Sequence, residues 1–254
     1  MAKRPPLGKC VHCLLDNVVR NWDHVLPESW YPDSTPIELE KWKIPSCLPC
    51  NTALGRIEED LLIHVAMCLD PKNPGSKGLY SRVRAAINPR RARGDRDRRA
   101  REKRAARLLA NFNSAKESVV IHGVLGLYPG LVKPTNEQVA NGIPLLISAN
   151  WIKAICEKIV RGHVYLEDSR FIEPPFMVRF YALDDEGAKP IRDALAAHGR
   201  VFSRGDAIRL TRAKTEEQGF HALYEIVLWN QFGMFAVVTD DGAERRLDAK
   251  ASSR

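Results

Sequence analysis

The chain has 254 residues, 44% of them hydrophobic, with a formal net charge of +8 and a pI near 9.3. That composition is globular, and the length suffices for one large domain or two modest ones. No apolar run approaches the roughly eighteen residues that cross a bilayer, and the opening Met1-Ala2-Lys3-Arg4-Pro5-Pro6 lacks the apolar stretch of a secretory signal, so a cytoplasmic protein with no membrane partner is expected.

Residues before Cys10 are basic and proline-containing, an extended lead-in. Four of the six cysteines then fall in two CxxC pairs, Cys10-Val11-His12-Cys13 and Cys47-Leu48-Pro49-Cys50. A CxxC turn points two thiolates at one ion, and two such turns complete a tetrahedral S4 site with Zn–S distances of about 2.3 Å. In a reducing compartment this spacing reads as structural zinc rather than disulfides. Cys68 and Cys156 stand alone and read as small buried hydrophobes. Between the pairs lie an apolar stretch from Leu14 to Leu26, a loop from Ser29 to Thr35 marked by its Pro and Asp, and a second extended stretch from Trp42 to Ser46.

After Asn51, Ile57, Leu61, Leu62, Val65 and Leu69 recur at helical spacing, predicting a helix over about Thr52 to Leu69 that stops at Asp70-Pro71. Pro71 to Gly78 reads as a linker or turn. Between Arg82 and Arg107 stand twelve Arg and Lys against three acids, leaving the rest of the chain near neutral. Asn88-Pro89 and Gly94 break this segment, and Asp95 to Ala110 predicts a solvated basic helix ending near Asn111. With few aromatics interleaved, it suits backbone phosphates better than base stacking.

Val119 to Val132 is apolar and glycine-rich, and Pro134 to Pro144 reads as loop with a short helix. Ser148 to Val160 predicts an amphipathic helix closed by Arg161-Gly162. A strand over Phe176 to Leu183, a helix over Gly187 to His198, and strands Ala222 to Leu228 and Met234 to Thr239 joined across Asn230-Gln231-Phe232-Gly233 complete a second region with a core of its own. A polar tail follows from Asp240.

Two residue runs carry a resemblance. Asp23-His24-Val25-Leu26-Pro27 followed by Cys47-Leu48-Pro49-Cys50-Asn51, with Pro45 before the third cysteine and Glu58-Glu59 after the Asn, resembles the HNH endonuclease family over the first quarter of the chain. The resemblance implies a zinc-stapled ββα-metal domain over residues 1–70, its hairpin strands flanking the loop and His24 near the end of the first. A basic helical linker over 71–112, a C-terminal α+β domain with an antiparallel hairpin over 113–240 and a tail over 241–254 follow. It also implies roles: His24 as general base, and Asp23 and Asn51 as oxygen ligands of a catalytic Mg²⁺ or Mn²⁺ beside the structural Zn²⁺ at Cys10, Cys13, Cys47 and Cys50. The family's middle Asn falls where this chain has Trp42, so either a backbone carbonyl orients His24 or the site is degraded. The Glu157 to Gly162 run and the closing hairpin resemble the region that accompanies some HNH domains of this branch.

Plainer readings stand beside these. His24 could be a backbone-satisfied histidine next to the zinc, and Asn51 a helix N-cap. Glu58 and Glu59 read as first-turn acids favoured by the helix dipole. His12 would compete for a metal already held by four thiolates, and His64 reads as core or surface. The sequence therefore leads to a metal-dependent endonuclease whose partner is nucleic acid, DNA above all. Its backbone would be gripped by Arg90, Arg91, Arg93, Arg96, Arg98, Arg99, Arg101, Lys103 and Arg104. The alternatives are a non-catalytic zinc-ribbon nucleic-acid binder, and a protein whose basic segment docks an acidic protein surface.

Overall fold

A hairpin opens the fold of the chain, seen in a computed structural model that describes residues 4–70, 72–115, 147–181, 185–216 and 219–240. Its strands, β1 (Arg20–His24) and β2 (Lys43–Cys47), pair antiparallel, with Arg20 opposite Cys47 and His24 opposite Lys43. The lead-in before Cys10 is strapped to this hairpin by Arg20, whose guanidinium donates to the carbonyls of Pro6 (2.8 Å) and Lys9 (3.1 Å).

Helix α1 (Leu48–Val65) starts directly after Cys47, with Pro49 in its first turn. Proline lacks the N–H that a first turn leaves unpaired, so the helix begins earlier than its apolar periodicity predicts. It ends before Leu69. Glu58 and Glu59 consequently lie about three turns into α1, not in its first turn, and the dipole reading of them is corrected.

Part of the expected linker and basic segment is ordered as α2 (Leu79–Ile87), entered through Gly78 in the left-handed region at φ 82°. The basic helix α3 (Asp95–Ala115) follows as expected and runs past Asn111. Val119 to Val132, Pro134 to Pro144 and the tail from 241 lie outside the described residues.

Helix α4 (Ala149–Asp168) does not stop at Arg161-Gly162. Gly162 sits inside it, and Ser169, with φ 52°, ends it in the left-handed conformation that closes many helices. Then come β3 (Phe176–Tyr181), α5 (Asp185–His198), β4 (Arg200–Arg204), β5 (Ile208–Thr215), β6 (His221–Leu228) and β7 (Phe232–Asp240). The five strands form one antiparallel sheet in the order β3-β7-β6-β5-β4, so the expected hairpin β6–β7 is its centre rather than the whole of it.

α4 packs against α1 and β2 on one side and β3 and β7 on the other. Its buried Ile152, Ile155, Ile159 and Val164 fuse what the sequence reads as two cores into one cluster, from Val25, Ile44 and Leu61 to Tyr224 and Ile226. Each such fully buried aliphatic side chain contributes roughly 1.5–3 kcal/mol. A second tie is Trp229 at the β6–β7 turn. Its indole N–H donates to the Trp30 carbonyl at 2.7 Å, and the two rings lie 5.1 Å apart. The whole is a mixed α+β fold, and among the described residues no helix is long and apolar enough to cross a membrane.

Candidate functional site

The two CxxC turns meet at the base of the hairpin. The sulfurs of Cys10, Cys13, Cys47 and Cys50 all lie within 4.8 Å of one another, and those of Cys13 and Cys47 are 3.8 Å apart. A tetrahedral S4 site with Zn–S bonds of about 2.3 Å has edges of about 3.8 Å, so this cluster can hold a metal such as zinc. Burial opposes a charge on Cys10, but the backbone N–H groups of Cys47, Cys13 and His12 directed at its sulfur outweigh it and bring the thiol down to about 7. The thiolate is the ligating form, and the turns favour it at Cys10, whereas burial pushes the Cys47 and Cys50 thiols up.

Beside this cluster, Asp23, His24, Asn51, Glu28 and Glu58 line one cavity of about 310 Å³. Asp23 and His24 come from the end of β1, Asn51 and Glu58 from α1. The three residues singled out from separate motifs are thus brought together. Among the described residues, Lys158 on α4 is the cation that meets both Asp23 and Glu58, and the sequence did not single it out.

Asp23 is buried, and a carboxylate accepts only. His12 Nε2–H donates to its Oδ2 at 3.0 Å, and the Lys158 ammonium donates to its Oδ1 at 2.9 Å. Lys158 also donates to Glu58 Oε1. Burial works against ionisation of Asp23, but His12 and Lys158 together hold its carboxyl below the usual range. For Glu58 the balance is reversed: burial pushes its carboxyl up, and Lys158 only partly offsets this. His12, with the metal position already supplied by four cysteines, is the partner of Asp23.

His24 is half-buried, and burial lowers its pKa below 6.5 against the opposing pull of Glu28, keeping the imidazole neutral at pH 7. Its Nε2 lies 3.4 Å from Glu28 Oε1 without forming a hydrogen bond. The Trp42 carbonyl, at the position of the family's middle Asn, accepts from the Val25 N–H at 3.0 Å and so belongs to the hairpin. The Trp42 ring packs in the core beneath Arg204. Neither contacts the His24 ring; the carboxylate that faces its Nε2 is that of Glu28.

No protein-family model matches the chain, and no curated protein or solved structure was found to be similar to it. The site therefore rests on its own geometry.

α3 divides the basic residues into two sets. Arg98 pairs with Asp95 (2.7 Å), Arg101 with Asp97 (2.9 Å), Arg104 with Glu59 (2.5 Å) and Arg107 with Asp60 (2.8 Å). The last two fasten α3 onto α1, and Arg101 also donates to the Ala85 carbonyl of α2. Arg90, Arg91, Arg93, Arg96, Arg99 and Lys103 are exposed and have no ion-pair partner among the described residues. His64, buried, is held by the Asp60 carbonyl (2.6 Å) and Asn111 (2.7 Å), a structural role.

Proposed function

We propose that the chain is a metal-dependent endonuclease of the HNH type that hydrolyses phosphodiester bonds of nucleic acid, DNA in particular. The observation that carries this is the single cavity shared by Asp23, His24 and Asn51, beside a four-thiolate cluster that pins the hairpin to the helix. The order β1, β2, α1 with those thiolates at its base supports reading residues 1–70 as a ββα-metal unit.

His24 takes the proton from the attacking water, a task that needs a neutral imidazole near pH 7. Asp23 and Asn51, with Glu58 as a further donor, offer hard oxygen ligands of the kind Mg²⁺ or Mn²⁺ prefers. Each Asp23 oxygen accepts one hydrogen bond and retains a second lone pair, so the donor set fits such an ion. When bound, the ion supplies charge relief at the scissile phosphate and at the departing O3′. The unpaired arginines of α3 and the turn before it hold the backbone. Such contacts position without reading sequence.

A second reading is favoured by one observation: both Asp23 oxygens are already engaged by His12 and Lys158, as in a purely structural ion pair. That reading is a zinc-stapled binder without catalysis. A labelled duplex separates the two. If the chain is a nuclease, wild type cuts it in Mn²⁺ while His24→Ala binds it equally well and leaves it whole. If neither protein cuts while both bind, the binder reading stands.

A further inference from the structure

Lys158 is the most deeply buried charge at the cavity. Its side chain is 1% exposed, and the carboxylates it meets, Asp23 and Glu58, are 5% and 13% exposed. It reaches them from α4, outside the zinc-stapled unit, and lies behind the cavity wall that the two acids form. Two buried carboxylates that share a cavity repel each other unless a cation stands between them. Here a single ammonium, with donors in three directions, meets Oδ1 of one and Oε1 of the other. The sequence placed it there by geometry: Lys158 shares its helix face with Ile155, Ile159 and Gly162, all turned toward the core.

We propose that Lys158 is a positioning residue of the candidate nuclease site: the resident counter-ion that fixes Asp23 and Glu58 at one spacing with their remaining lone pairs toward the cavity, and that limits how tightly a divalent cation is held there. The inference rests on the endonuclease reading. It follows from charge and shape together. With Lys158 in place, the trio carries one net negative charge rather than two, so a divalent ion binds more weakly than it would to the bare pair. In exchange, the two acids keep a fixed separation whether or not an ion is present. A site that is preset in this way presents its oxygens without rearrangement.

The test uses the full, zinc-loaded chain and reads Mn²⁺ affinity, by the loss of the free-ion electron paramagnetic resonance signal, alongside cleavage at saturating Mn²⁺. Wild type takes up Mn²⁺, and Asp23→Asn abolishes that uptake. Lys158→Met, with folding checked by zinc content and thermal unfolding, binds Mn²⁺ more tightly by on the order of tenfold because the opposing charge is gone. It cleaves more slowly by on the order of tenfold because the carboxylates are no longer held apart. A defect of folding alone cannot tighten ion binding. Lys158→Arg keeps the charge but alters the shape of the bridge: its Mn²⁺ affinity stays within about threefold of wild type, while cleavage falls. It decides the matter should the methionine variant not fold. Tenfold-altered affinity or undiminished cleavage in Lys158→Arg overturns the proposal, as does unchanged or weaker Mn²⁺ binding in a folded Lys158→Met. Absence of any Asp23-dependent Mn²⁺ uptake in wild type removes the endonuclease reading itself, and the proposal with it.

Discussion

Lys158 Nζ and Asp23 Oδ1 lie 2.9 Å apart although 135 residues separate them along the chain. The contact depends on how closely α4 approaches the hairpin, and Gly162, one turn beyond Lys158, sets that approach. A Cβ at Gly162 would lie 2.7 Å from Val25 Cγ2 and 3.2 Å from Ile44 Cδ1. The four-cysteine unit and the C-terminal region are thus coupled through one helix face, and the candidate site draws on both.

Gly162→Ala is expected to destabilise the fold by about 1–3 kcal/mol through overpacking, although Gly→Ala inside a helix ordinarily gains about 0.5–1 kcal/mol. Gly55, in α1 with nothing within 4 Å of its would-be Cβ, supplies the control. Gly55→Ala raises the unfolding midpoint, whereas Gly162→Ala lowers it. Urea unfolding of both variants checks the pair, and a stabilised Gly162→Ala would show that the approach of α4 is not limited there.

The four thiolates predict one tightly bound zinc per chain. Its removal by a strong chelator, or by Cys47→Ala, takes away binding energy that a small hairpin-and-helix unit cannot replace. The expected loss is several kcal/mol, seen as a fall in Tm of about 10 °C or more. Metal analysis paired with thermal unfolding measures both, and a zinc-free chain with unaltered Tm speaks against a structural metal.

The division within the basic segment predicts two kinds of arginine variant. Replacing Arg90, Arg93, Arg96 and Arg99 together by Ala flattens the dependence of log affinity on log salt by up to about 0.9 per side chain. Arg101→Ala instead loses its bonds to Asp97 and the Ala85 carbonyl. It lowers stability and leaves the salt slope unchanged. Titrations of duplex at several salt concentrations, with parallel unfolding curves, distinguish these outcomes.

His163 supplies a pH dependence. Burial first, and then the charges of Arg212, Arg204 and Arg200, lower its pKa to about 3 from the ordinary 6.5, against the pull of Asp168. A histidine held neutral in the fold takes up a proton in the unfolded chain as pH falls below 6.5, so its contribution to stability is present above that value and is lost progressively toward pH 3. Between pH 6.5 and about pH 5 the loss is about 2 kcal/mol. His163→Gln, which keeps a polar partner for the Tyr224 hydroxyl 3.4 Å away, should show a correspondingly shallower acid slope in urea unfolding. Parallel slopes would assign the acid sensitivity to other groups.

What could be read from the sequence was local. Two CxxC turns announce their convergence because each is a closed turn whose geometry does not depend on the rest of the chain. Asp23, His24 and Asn51 were legible because Asp23-His24-Val25-Leu26-Pro27 and Cys47-Leu48-Pro49-Cys50-Asn51 resemble a known motif pair, and each run is contiguous in the chain. Lys158 was not, because its partners depend on the angle between α4 and the hairpin, a tertiary quantity. Its signal was a lysine on an otherwise apolar helix face. Gly162 was misread for the same reason: Arg-Gly after an apolar run is a local stop signal, here overridden by packing against Val25 and Ile44. β4 and β5 were missed because arginines interrupt them, although Ile208, Leu210 and Arg212 alternate inward at strand spacing. Arg212 is buried there because Asp168, at the end of α4, meets it at 2.5 Å.

The central claim is that His24 activates water beside an ion held by Asp23 and Asn51. Supercoiled plasmid incubated with Mn²⁺ and either wild type or His24→Ala tests it most directly. The account predicts that wild type converts the plasmid to nicked and linear forms, with 3′-hydroxyl and 5′-phosphate ends that ligase reseals, while His24→Ala leaves it supercoiled. Intact plasmid with wild type, or equal cutting by both proteins, would contradict it.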